Sequence, residues 1–94
     1  MATFFLFGRY SAASLKDISA KRTQAAAGTV KKFGGELKSL YALLGKHDVV
    51  LIVELPGVPE AMKCSLALAR QTGIAFTTAP AIPVEQFDKL AAEV

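Results

Sequence analysis

The centre of the chain constrains its fold most, because two apolar runs there are separated by only a short polar turn. The runs cover residues 37–44 and 49–55, and the turn covers residues 45–48. Strand-forming runs joined by a short loop that contains glycine are typical of a β-hairpin. A helical pattern lies before the hairpin and another after it, each next to a further apolar run. The sequence therefore predicts the element order β-α-β-β-α-β.

The segment before the hairpin carries clear boundary signals. Residues 3–9 are rich in phenylalanine and predict the first strand. The first helix is expected to begin after Ser14, which has capping-box spacing to Asp17, and to end at Gly34, which suits a left-handed cap. Gly28 inside this helix predicts close backbone packing, since glycine there costs about 1 kcal/mol relative to alanine. One continuous helix of about five turns is therefore expected.

The segment after the hairpin repeats the pattern and adds a tail. Pro59 suits the first position of a helix that ends at Gly73, and residues 74–79 predict the last strand. Pro83 then opens a short final helix with one apolar stripe. The stripe consists of Val84, Phe87, Leu90, Ala91 and Val94.

Two split β-α-β units in succession predict an α+β, ferredoxin-like fold with a four-stranded antiparallel sheet and a short C-terminal helix. In this arrangement the first and third strands are central. Their segments 3–7 and 49–53 are almost wholly apolar, whereas Glu36, Lys38 and Pro80 suit edge strands. Residues 1–94 are expected to form a single domain.

The central strands are apolar on both faces, which a two-helix fold does not explain. Phe5 and Phe7 point to one face of the first strand and Phe4 and Leu6 to the other. An antiparallel sheet normally leaves one face to water. The second face has a projected area of about 300 Å², enough to signify a binding surface. We therefore predict a two-fold homodimer, or a higher homo-oligomer, with sheets packed face to face.

Composition excludes several other classes of protein. No segment approaches the roughly 18 consecutive apolar residues of a membrane span, and the N-terminus lacks the pattern of a signal peptide. The single cysteine, Cys64, cannot form a disulfide within the chain, so a cytoplasmic protein is expected. The charge is +6 up to Lys46 and −3 after it, but no aromatic residues lie between the helical cations to stack on bases. We do not expect binding to membranes or nucleic acid.

The chain resembles the GYD-domain family over nearly its whole length. The resemblance rests on a first strand ending in Arg9-Tyr10, a long helix ending in Phe33-Gly34-Gly35, the VVLIVELP strand and the late Glu85-Gln86-Phe87 segment. The naming motif, Gly-x-Tyr-Asp, is Gly45-Lys46-His47-Asp48 here, with histidine in place of tyrosine.

This resemblance implies a protomer of the dimeric α-β barrel superfamily, with no established activity. Relatives in that superfamily include cofactor-independent monooxygenases, haem-degrading enzymes and ligand-sensing regulatory modules. Fold alone does not choose among them.

Four residues are candidates for ligand binding: Arg9, Tyr41, His47 and Asp48. His47 could act as a general base near the carboxylate of Asp48, or Asp48 could stabilise the turn through its backbone while His47 is a partly exposed hairpin residue. A phenol and a guanidinium, from Tyr41 and Arg9, could orient an anionic or aromatic ligand. Alternatively, Tyr41 is a rim residue and Arg9 pairs with a surface carboxylate such as Glu54.

No metal or cofactor is expected, because one histidine, one cysteine and scattered carboxylates lack zinc-ligand spacing and no phosphate-binding loop is present. Cys64 is expected to be a buried structural thiol.

The leading hypothesis is a homo-oligomeric module that binds a small molecule in or beside the barrel. The alternative is a small cofactor-independent enzyme, of monooxygenase or isomerase type, using His47 or Tyr41 at an apolar pocket. A third option, a ligand-sensing domain in transcription, requires a DNA-binding partner chain.

Overall fold

Four strands and four helices make up the chain, and the computed structural model describes all of its residues, Met1–Val94. In chain order they are β1 (Ala2–Arg9), α1 (Ala12–Lys16), α2 (Ala20–Lys32), β2 (Glu36–Ala42), β3 (Val49–Leu55), α3 (Val58–Thr72), β4 (Ala75–Ala81) and α4 (Val84–Ala92). This order confirms the predicted β-α-β-β-α-β arrangement with a C-terminal helix. It differs in one respect, because the first helical segment is divided into α1 and α2.

The strands form one antiparallel sheet in the order β2-β3-β1-β4. The first and third strands are therefore central and the second and fourth are edges, as the apolar pattern predicted. This topology confirms the ferredoxin-like α+β fold. No helix is long and apolar enough to cross a membrane.

The predicted start of the first helix is wrong in position. Ser11, not Ser14, is the N-cap of α1, and Ser14 is the third helical residue of the same capping box. The helix stops after Lys16, and Ser19, in an extended conformation, accepts a hydrogen bond from the Arg22 N–H to start α2. Serine side chains compete for backbone groups, and here two serine caps divide the segment into two helices.

Other boundaries follow the turn chemistry with small shifts. Gly34 and Gly73 both adopt left-handed conformations after α2 and α3, with φ of 84° and 74°, as predicted. Pro59 is the second residue of α3 rather than the first, behind Val58. The strand β2 ends at Ala42, so Leu43 and Leu44 belong to the hairpin loop, with Leu44 fully exposed.

The core lies between one face of the sheet and the helices α2 and α3. Its twelve residues are Phe4, Leu6, Ala26, Val30, Val49, Leu51, Val53, Leu55, Ala61, Cys64, Leu68 and Ile74. Gly28 is not part of this packing, contrary to the prediction. It is exposed, and a Cβ added there would meet no atom. The tightly packed glycine next to this helix is Gly35, where a Cβ would overlap the Glu54 carbonyl oxygen and the Leu55 side chain.

The opposite side of the sheet carries no helix, because both packed helices lie over the core side. We call this side the open face and define it by Phe5, Phe7, Tyr41, Val50, Ile52 and Ala79, which the strand register brings to the same side. Phe5, Phe7 and Ile52 remain partly exposed although they are apolar. The chain therefore has a second apolar sheet face, as its alternating pattern predicted.

The last helix, α4, projects away from the rest of the molecule. Every one of its residues is exposed. The radius of gyration is 14.1 Å, above the roughly 12 Å typical of a compact chain of this length, and the longest dimension is 48 Å. The tail helix therefore does not cover the open face of its own chain.

Candidate functional site

Cross-strand pairing arranges the open face in rows that run across all four strands. One row consists of Tyr41, Val50, Phe7 and Thr77, and the next of Ser39, Ile52, Phe5 and Ala79. The rings of Phe5 and Phe7 lie 6.1 Å apart at the centre of these rows. The face thus has an aromatic floor with a polar ring, that of Tyr41, at the β2 edge.

His47 lies over one end of this floor. Its ring is 5.1 Å from the ring of Phe7, centroid to centroid, and tilted by 35°. Its Nδ1 atom is buried and has no hydrogen-bond partner. Buried polar atoms are normally paired, so the unpaired nitrogen marks His47 as an unusual residue at the end of the apolar floor.

Asp48, by contrast, forms three hydrogen bonds with the backbone. Its Oδ2 atom accepts a hydrogen bond of 2.8 Å from the Tyr10 N–H, and its own N–H donates to the Gly8 carbonyl at 2.8 Å. Its carbonyl accepts from the Leu43 N–H, also at 2.8 Å. No bond joins it to His47. This geometry favours the interpretation of Asp48 as a residue that stabilises the turn and attaches the hairpin to the end of β1.

Arg9 and Tyr41 flank the same end of the open face. Arg9 follows Phe7 by two residues in β1, so its side chain leaves the sheet on the same side. Tyr41 lies two strands from Phe7, a distance of about 10 Å between backbones, and its side chain is exposed. Arg9 forms no ion pair with Glu54. The single ion pair of the chain joins Lys38 and Glu36 at 3.6 Å.

Three cavities of the protomer lie elsewhere. The first, of about 70 Å³, lies between α2 and the sheet, where Arg22 stacks over Tyr10 at 5.5 Å. The second, of about 460 Å³, lies between α3 and β4, and the third, of about 400 Å³, lies where β4 meets α4. None of the three is lined by Arg9, Tyr41, His47 or Asp48. Within the protomer, the four candidates therefore line a surface and not a pocket.

The groove between α3 and β4 was not predicted from the sequence. We call it the α3/β4 groove, lined by Phe4, Val58, Ala61, Met62, Ser65, Leu66, Ala69, Phe76, Thr78 and Pro80. A signal was present in α3, where the exposed residues Val58, Met62 and Leu66 repeat every fourth position beside the core stripe. A helix with apolar residues outside the stripe that faces the core indicates a second contact surface.

Cys64 occupies the core side of α3, as predicted. Its side chain is buried, and this burial raises the pKa of the thiol to about 11 because the thiolate would lose its hydration. A thiol that stays protonated at neutral pH is a poor nucleophile. No group of three or more histidine, cysteine, aspartate and glutamate side chains comes together in the chain.

Comparison with known families confirms the resemblance noted from the sequence. The model of the GYD domain matches residues 4–91. No curated protein matches the chain.

Comparison with solved structures supports the fold. The leucine response regulatory protein LrpA of Mycobacterium tuberculosis superposes with a TM-score of 0.58 at 10% identity, over 87% of this chain and 51% of that one. An AsnC family transcriptional regulator from Agrobacterium tumefaciens gives a TM-score of 0.59 at 19% identity, over 87% and 50%. The chain thus spans about half the length of these structures, and at such low identity the similarity is one of fold.

Proposed function

This chain belongs to the GYD-domain family, and we propose that it is a homo-oligomeric module that binds a small molecule at the rim of its open face. The observation that carries the proposal is the open face itself. Phe5, Phe7 and Ile52 form a contiguous apolar surface that no element of the chain covers. An exposed apolar face of this extent on a small domain signifies an interaction surface.

A second copy of the same chain is the occupant that the face fits best. Its centre is apolar and uncharged, so two such faces can pack together without burying an unpaired charge. Opposed antiparallel sheets interdigitate their side chains at a separation of about 10 Å. A two-fold axis through the face would place Phe5, Phe7 and Ile52 of each copy against the other, as an isologous interface requires.

The ligand site is proposed at the end of this face where His47 stacks on Phe7. Arg9 supplies a permanent positive charge, Tyr41 a hydroxyl, and His47 an imidazole ring stacked on Phe7. These groups surround an aromatic floor. Such a set suits a small molecule with an aromatic or apolar body and an anionic group, which the guanidinium would bind in bidentate fashion. Pairing of two sheets would enclose this rim and turn a surface into a cleft.

Two narrower functions have less support. An enzyme of the monooxygenase or isomerase type would use His47 or Tyr41 at an apolar pocket. The two cavities of several hundred cubic ångströms in the protomer are lined by other residues. A ligand-sensing role in transcription agrees with the names of the two fold relatives, a response regulatory protein and a transcriptional regulator. It would need a DNA-binding partner chain to act.

Light scattering coupled to size-exclusion chromatography tests self-association. The wild-type protein at low micromolar concentration is expected to have at least the mass of a dimer. Ile52→Lys, which places a charge in the open face, is expected to have a lower mass than the wild-type protein, because pairing of the open faces is lost. Leu44→Lys is the matched control, because Leu44 lies in the hairpin loop and is fully exposed. A monomeric wild-type protein would overturn the proposed homo-oligomer.

Ligand binding has its own test. Native mass spectrometry of freshly purified protein should reveal any retained small molecule, and titration with benzoate, followed by NMR, should shift the signals of Phe7, Tyr41 and His47. Arg9→Ala is expected to weaken benzoate binding about tenfold or more, since a charge-assisted bidentate contact is lost. Arg70→Ala removes an equal charge from α3 and should leave binding unchanged. Equal weakening by both variants, or no shift at these residues, would contradict the proposed site.

A further inference from the structure

The helix α4 has an apolar stripe without a partner in its own chain. Val84, Phe87 and Leu90 repeat at helical spacing within α4, Val94 follows just beyond its C-cap, and all four side chains are exposed. A helix of nine residues is marginal in water by itself, and most helical stability in proteins comes from packing an amphipathic face. The stripe therefore indicates that α4 packs against something outside the protomer.

The α3/β4 groove is an apolar surface of the matching length. It follows α3 from Val58 to Ala69, about 17 Å, and α4 itself is about 14 Å long. Its volume is about 460 Å³. Met62 and Leu66 line it and remain exposed, as the stripe of α4 does.

The charges of the two surfaces are complementary. Helix α4 and its C-cap carry three carboxylates, on Glu85, Asp88 and Glu93, and a single lysine, Lys89. Beside the groove, the exposed residues Lys63 and Arg70 flank Leu66 on the same side of α3. Complementary charges at the rim of an apolar contact favour one orientation of docking and speed association.

The linker favours a partner's groove over the chain's own. Only Ile82 and Pro83 separate β4 from α4. Pro83 has φ of −58° and ψ of 147°, and a residue that precedes proline, as Ile82 does, is restricted to extended conformations. The linker thus continues the direction of β4 and carries α4 outward. To enter its own groove, α4 would have to reverse within these two residues.

We infer that α4 docks through its apolar stripe into the α3/β4 groove of a second copy of this chain. The contact uses the helix side of the sheet, so it is distinct from the open face and does not depend on pairing of the open faces. If both contacts form, they make an assembly larger than a dimer. Exchange of a terminal element across a short, stiff linker is a known route to such assemblies.

A disulfide cross-link between two copies tests the contact. Chains carrying Leu90→Cys and chains carrying Leu66→Cys are purified with tags of different mass, mixed and oxidised. Both positions are exposed, so both variants should fold, and the native Cys64 is buried. We expect a covalent heterodimer, with at least about fivefold less product when Ala92→Cys, on the other side of α4, replaces Leu90→Cys, because disulfides require close Cβ atoms.

Two outcomes would overturn the inference. One is that the mixture gives no more product than the Ala92→Cys control. The other is that a chain carrying both Leu66→Cys and Leu90→Cys closes an intrachain disulfide while the mixture yields no heterodimer, which would place α4 in its own groove. Repeating the mixture in the Ile52→Lys background separates this contact from the open face. A cross-link that persists there supports the α4 contact even if the open face does not pair.

Discussion

Gly28 and Gly35 lie close together in sequence but differ in how tightly they are packed. Gly28 is an exposed helical residue with open space where a Cβ would be, and Gly35 packs directly against the backbone of Glu54. The helical pattern predicted close packing at Gly28, because glycine inside a helix lowers the stability of the helix. The close contact that requires glycine is instead made by Gly35, between α2 and β2.

The two glycines give a matched pair of stability predictions. Gly28→Ala should raise the free energy of unfolding by about 0.5 to 1 kcal/mol, because alanine is the better helix former and nothing obstructs its methyl group. Gly35→Ala should lower it by about 1 to 3 kcal/mol through overpacking against Glu54 and Leu55. Urea unfolding followed by circular dichroism measures both. Equal effects of the two substitutions would refute this assignment.

Cys64 gives a prediction about pH. Burial raises its pKa from 9.0 to about 11, so the folded state holds the thiol proton more tightly than the unfolded state does. The stabilisation from this group is fully present below pH 9 and is lost as the pH rises through 11. Urea unfolding at a series of pH values should show that the wild-type protein loses more stability between pH 9 and 11 than Cys64→Ala.

Thiol reactivity provides an independent check of the same residue. In the folded protein at pH 8, Cys64 should react with a thiol reagent far more slowly than in urea, because it is both buried and protonated. A fast reaction in native buffer would show that the thiol is accessible and would remove the basis for the pH prediction.

Among the elements, the hairpin loop is joined to the end of β1 by the Asp48 side chain as well as by backbone bonds. Asp48 accepts the Tyr10 N–H at 2.8 Å, a long-range contact that joins the loop before β3 to the residue after β1. The bond fixes where β1 ends and holds the neighbouring His47 beside Phe7. The family motif, which ends in this aspartate, thus has a structural role independent of any ligand.

We expect Asp48→Ala to lower the free energy of unfolding by about 1 to 3 kcal/mol, because the partly buried Tyr10 N–H loses a charged acceptor. Asp88→Ala, an exposed change on α4, should stay within about 0.5 kcal/mol of the wild-type protein. Chemical denaturation measures both values. NMR of Asp48→Ala should also show altered signals for His47 and Phe7. Indistinguishable stabilities of the two variants would contradict the role given to Asp48.

In the molecule as a whole, the sheet separates two apolar surfaces, of which only one is covered by helices of the same chain. One is filled by α2 and α3, and the other, the open face, is uncovered in the protomer. A high hydrophobic fraction, 52% of the residues, is therefore divided between a core and surfaces that the protomer leaves exposed. If the open faces pair as proposed, the stability of the chain is linked to its assembly.

This linkage predicts a melting temperature that depends on concentration. If the open faces pair, raising the protein concentration from the micromolar range a hundredfold should raise the melting temperature of the wild-type protein by several degrees, because association stabilises only the folded state. Ile52→Lys should show a smaller rise between the two concentrations, because it loses the contribution of the open face. Differential scanning calorimetry makes the comparison. A wild-type transition that does not move with concentration would count against the oligomer.

Residue patterns within single segments were enough to predict the order of elements, the central and edge strands and the presence of two apolar sheet faces. These features depend on local periodicity: alternation in Phe4 to Phe7 gives the two faces, and the glycines at 34 and 73 end helices through their own backbone freedom. The sequence also predicted that Cys64 would be buried, from the apolar residues at helical spacing around it.

Packing of the folded chain settles which local signals prevail and where residues distant in sequence meet. Leu43 and Leu44 are apolar yet lie in the loop, because Asp48 bonds to Leu43 and Tyr10 and closes the hairpin earlier than the apolar run implies. The stacking of His47 on Phe7 and the α3/β4 groove join segments far apart in sequence. Such contacts depend on how elements pack, and a periodic pattern within one element carries no information about them.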